Sequence, residues 1–148
     1  MKPTHPGNLP SVRLTAGMYA LSKLSAAGLT FTLLGLLALA APPAASGWLA
    51  SPAYNVYAYA LTVSLLADGL LRLTGTGPRA VIMVIYAIAG FGAGLWLAHD
   101  QGSGWAASAF PGIAVLLLFR LTQLAGERLP ALLPVFALFV PLLCLRLL

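Results

Sequence analysis

Long apolar runs separated by short polar breaks organise the chain. Its first dozen residues, MKPTHPGNLPSV, hold three prolines, a glycine and an asparagine and predict a flexible tail over 1–12, with a helix able to begin near Ser11. The first uncharged run, 24–41, has 18 positions, close to the roughly 20 helical residues that cross a hydrocarbon core of about 30 Å. Pro42 and Pro43 stop it. A second run, 53–73, is interrupted near its end by Asp68 and Arg72 and closed by the turn Gly75-Thr76-Gly77-Pro78. The third, 80–98, is free of charge and gives way to a polar loop, His99 to Gly104. The fourth, 105–125, tolerates Arg120 because a long side chain can carry its charge toward the interface. The fifth, 129–148, contains Pro130, Pro134 and Pro141. The pattern predicts an all-α polytopic transmembrane bundle of five helices, or four if the proline-rich segment does not span, in a single membrane domain over 1–148.

Composition sharpens this. Of 148 residues, 60% are hydrophobic and 7% charged, against about 25% charged in ordinary soluble domains. So few charges cannot cover a water-facing surface, and the lipid bilayer is the expected solvent. A net charge of +5 carries no basic stripe, so nucleic acid is not an expected partner. With Cys144 the single cysteine, an intramolecular disulfide and any CxxC motif are ruled out.

Loop by loop, the cations predict orientation. Lys2, Arg13 and Lys23 precede the first run, Arg72 and Arg79 flank the second break, and Arg120 and Arg128 flank the fourth. That is seven of eight on one side, with Arg146 the exception. The intervening loops, Pro42 to Pro52 and His99 to Gly104, have none. By the positive-inside rule the N-terminus is cytoplasmic, and Trp48, Trp96, Trp105, Tyr54 and Tyr57 fall near the opposite interface, where amphipathic rings settle. Ala38-Leu39-Ala40 has the small residues of a signal-peptide cleavage site, but the charged region before the run is longer than such leaders carry, which favours a retained span. No internal repeat is visible.

Candidate chemistry is sparse. Asp68 is the acidic residue inside an apolar run, and an ionisable group there is by default a functional candidate. Arg72 lies one turn on, so an intramembrane ion pair Asp68–Arg72 is the plainer expectation and a proton or cation site the alternative. Gly90 and Gly94, in Gly90-Phe91-Gly92-Ala93-Gly94, have the four-residue spacing that lets helix backbones approach, which points to packing within the chain or between copies. No strand or P-loop lysine accompanies them, so a phosphate loop is discarded. Pro141 is expected to kink the last helix and free the carbonyl of Ala137. His99 and Asp100 are adjacent and far from His5, too few for zinc, and neither HExxH nor a G-x-S-x-G elbow occurs. No catalytic, cofactor or metal residue is expected.

The stretch from Tyr57 to Asp68, with Arg72 and the span after Arg79, resembles uncharacterised small multispanning bacterial membrane proteins, in which a Tyr-rich helix start leads to a Ser-Leu-Leu-x-Asp end. The resemblance implies a bacterial plasma membrane location and brings no activity. Tryptophan-rich sensory proteins share the span number but have a dense aromatic motif that the three tryptophans here do not form. The sequence thus favours a non-enzymatic accessory, immunity-type or homo-oligomerising bundle that works through helix contacts with a membrane partner. A small transporter or channel subunit using Asp68 in a proton or cation pathway is the alternative.

Overall fold

The computed structural model describes residues 9–40, 47–75 and 77–147, with side chains from Thr15 and short of Leu147. It is all-α, with five helical segments: α1 (Leu9–Ala40), α2 (Pro52–Thr74), α3 (Arg79–Gln101), α4 (Trp105–Arg128) and α5 (Pro130–Arg146). A 3-10 turn, Gly47–Leu49, leads into α2. Four of these, α1 from Thr15 onward and α2 to α4, are long and apolar enough to cross a membrane. At 17 residues α5 rises about 26 Å, somewhat less than the hydrocarbon core. Its three prolines explain the shortfall: Pro130 opens it as a 3-10 turn, and a π-turn, Val135–Phe139, precedes Pro141. There the Val140 N–H reaches back to the Val135 carbonyl, the wide turn that accommodates a residue without an N–H.

The distribution of side chains is that of a protein dissolved in lipid. Leu36, Leu37, Leu39, Leu66, Ile88 and Leu138 point outward, while Ser22, Lys23, Ser25, Thr30, Asn55, Ser64 and Gln123 are buried. Water would reward the reverse. Some of these inward polar groups meet one another, as Thr30 and Thr122 do at 3.3 Å across the α1–α4 contact.

Helices α3 and α4 pack most closely, and glycine makes it possible. A Cβ at Gly90 would sit 2.5 Å from the Gly112 carbonyl oxygen, and one at Gly94 would run into the backbone of Ser108 and Ala109. Gly28 on α1 meets the Phe136 carbonyl and the Pro141 ring of α5 in the same way.

Three boundaries depart from the hydropathy reading. Helix α1 begins at Leu9, so the last four residues of the predicted tail are helical, with Pro10 in the first turn where its missing N–H costs nothing; residues 1–8 lie outside the described residues. Helix α3 runs through His99 and Asp100 to Gln101, capped by Gly102 at φ 61° with the Ser103 N–H returning to the Ala98 carbonyl. Helix α4 continues past Ala125 to Arg128. Hydropathy marks where lipid ends, whereas backbone hydrogen bonding carries a helix beyond it. The first part of the Pro42 to Pro52 loop, through Ser46, is also outside the described residues.

Candidate functional site

The N-terminal half of α1, the end of α2, the start of α3 and the end of α4 converge at one end of the bundle, called here the basic end. Tyr19 and Lys23 stand one turn apart on α1 and therefore share a face. Lys23 is 2% exposed and lies inside the span, covered by the other helices, rather than flanking the span as the sequence suggested. Its Nζ lies 2.8 Å from Asp68 Oδ2 and donates to the Tyr86 hydroxyl at 2.9 Å. Tyr19 donates to Asp68 Oδ2 at 2.7 Å, and Tyr86 donates to Oδ1. The Phe119 ring lies with its centre 5.5 Å from Lys23 Nζ.

Four helices thus supply one network. Its logic is desolvation: a lone ammonium or carboxylate here would forfeit its hydration, and the pair persists because each charge is met by the other and by hydroxyls. Asp68 retains a connection to the outside, its side chain being 14% exposed. It lines a cavity of about 540 Å³ together with Tyr19, Arg72, Arg120, Gln123 and Glu127.

Arg72 is not the partner of Asp68. Among the described residues the ion pair of Asp68 is with Lys23, and the Arg72 guanidinium lies 5.1 Å from the centre of the Tyr19 ring. The expected Asp68–Arg72 pair is replaced for a physical reason. Arg72 is exposed near the end of α2 and keeps its charge hydrated, whereas Lys23 faces the interior and requires a counter-charge. Gly90 and Gly94 lie elsewhere, in the α3–α4 seam, and touch no part of the network.

The other end, where Trp48, Trp96 and Trp105 gather, holds a second acid. Tyr59 donates to Asp100 Oδ2 at 2.6 Å, and the Tyr59 ring meets Trp96 edge-on at 5.2 Å. Asp100, predicted in a polar loop, is exposed but sits in the last turn of α3. Asn55, fully buried, donates to the carbonyls of Gly47 and Trp48 and accepts from Gln101. Trp48 is buried too and donates to the Ser108 carbonyl, so it closes the bundle rather than lying in the headgroups. Phe31, Val56, Ala60 and Val63 belong to the buried apolar core of the bundle.

Sequence reasoning singled out Asp68 but missed Lys23, Tyr19, Tyr86 and Asn55. One signal was present for Lys23: an ionisable group of opposite sign to Asp68, with apolar residues on both sides. Nothing local marks the tyrosines. Among the described residues no group of three His, Cys, Asp or Glu is placed to hold a metal ion. No family model, curated protein or solved structure matches the chain. Its own residues define it as a polytopic α-helical membrane protein with a buried acid–lysine–tyrosine network.

Proposed function

We propose that the protein is a small transporter or channel subunit in which Asp68, balanced by Lys23, exchanges a proton or a cation with the basic end of the bundle. The observation that carries this reading is the pairing of a largely buried carboxylate with a cavity that reaches it from the basic end. A purely structural pair needs no such access. Lys23 Nζ stands where a transported cation would contact Oδ2, and a proton delivered to Asp68 would dissolve the pair and release Lys23. Either event changes the charge at the meeting point of four helices, the kind of local event that biases a bundle between two packings. A second carboxylate–tyrosine pair, Asp100 and Tyr59, lies toward the other end of the bundle, Tyr59 being roughly 14 Å from Asp68 along α2.

The reading as an accessory or oligomerising bundle draws less support, because the Gly90 and Gly94 seam that motivated it is filled by α4 of the same chain. Reconstitution into liposomes with an imposed pH gradient tests the proposal. Dye-reported proton movement, with sodium or potassium varied inside and out, should exceed that of empty vesicles and fall to their level in Asp68→Asn. Equal flux in Asp68→Asn, or none in the parent, would remove Asp68 from any pathway.

A further inference from the structure

A second cavity, of about 490 Å³, adjoins the first and shares Ile82, Arg120 and Glu127 with it. Together the two are lined by Arg72, Arg79, Arg120 and Arg128. Among the described residues none of these four guanidiniums has a carboxylate within ion-pair distance, Asp68 being paired with Lys23. Glu127 is the one opposing charge that remains, and the Gln123 amide donates to it at 3.3 Å. Four arginines thus share the two adjoining cavities with Asp68, already paired with Lys23, and Glu127. Arg120 is the informative member: of the four buried side-chain atoms without a hydrogen-bond partner among the described residues, its Nε is the one that belongs to a cation of the groove.

We infer that this groove between the ends of α2, α3 and α4 binds a phosphate-bearing anion, with the partly buried Arg120 at its floor and the exposed Arg72, Arg79 and Arg128 at its rim. Guanidinium forks match tetrahedral oxyanions through paired hydrogen bonds, and several forks can share one phosphate. A basic pocket between helices at the interface is a natural seat for an anionic lipid headgroup, and the same chemistry suits free phosphate or a soluble phosphate ester. The ligand would supply Arg120 Nε with its missing acceptor and neutralise the repulsion among the four arginines. Its presence beside Asp68 would also set the local field there, although the inference stands whether or not ions cross the protein.

Native mass spectrometry of the full chain in mild detergent reads the ligand directly. Phosphatidylglycerol, phosphatidylcholine and inorganic phosphate are offered separately. Retention of phosphatidylglycerol well above phosphatidylcholine identifies a lipid source, and retention of inorganic phosphate identifies a soluble one; both support the site. Arg72→Gln with Arg120→Gln should weaken binding roughly fivefold per arginine, about thirtyfold for the pair. The exposed pair Arg79→Gln with Arg128→Gln, which leaves the buried network intact, should also weaken it and serves if the first pair fails to fold. Phosphatidylglycerol and phosphate held no better than phosphatidylcholine, or binding unchanged in both pairs, would overturn the inference.

Discussion

Lys23 and Asp68 are each removed from water, and each is tolerated because the other is 2.8 Å away. Deleting one therefore leaves the survivor without its counter-charge. Lys23→Met and Asp68→Asn are each expected to cost about 3–5 kcal/mol, and the double substitution much less than their sum. Thermal unfolding in detergent, run as a double-mutant cycle, checks this; strict additivity would mean that the two groups do not interact. Tyr86→Phe removes one hydroxyl from the carboxylate and should cost about 1.5–3 kcal/mol in the same assay. At this scale Asp68 was legible because an acid in an apolar run is conspicuous. Its partner was not, because the nearest cation along the chain, Arg72, has an outlet to water that Lys23 lacks.

Elements were easier to read than their contacts. Apolar runs located all five helices, yet the role of each glycine depended on what stood opposite. Gly94→Ala should push α3 and α4 apart at a cost of about 1–3 kcal/mol, since its Cβ would meet backbone that cannot rotate away. Gly92→Ala, two residues earlier and facing open space, should be neutral or stabilise by up to about 1 kcal/mol through helix propensity. Comparing the melting temperatures of the two variants tests the seam. Should they fall together, α3 and α4 would not be packed through Gly94. Pro141 shows the same limit: its missing N–H announced a disturbance of α5, and the π-turn that absorbs it was not written in the residues themselves.

For the whole molecule, cation placement predicts that the basic end faces the cytoplasm. In a Cys144→Ala background, Leu129→Cys should react with a membrane-impermeant maleimide only after cells are permeabilised, and Gly104→Cys should react in intact cells. The opposite pattern would invert the bundle and place the basic groove outside. The sequence by itself determined that the chain dissolves in hydrocarbon, how many apolar helices it forms and which turns carry its cations. Those properties are sums over neighbouring residues and need no knowledge of which helices touch. Tertiary structure alone decided that Lys23 meets Asp68, that Tyr86 reaches back across 63 residues to Lys23, and that four arginines border one groove. Burial makes those pairings obligatory, and which charge is denied water is settled only when the helices pack.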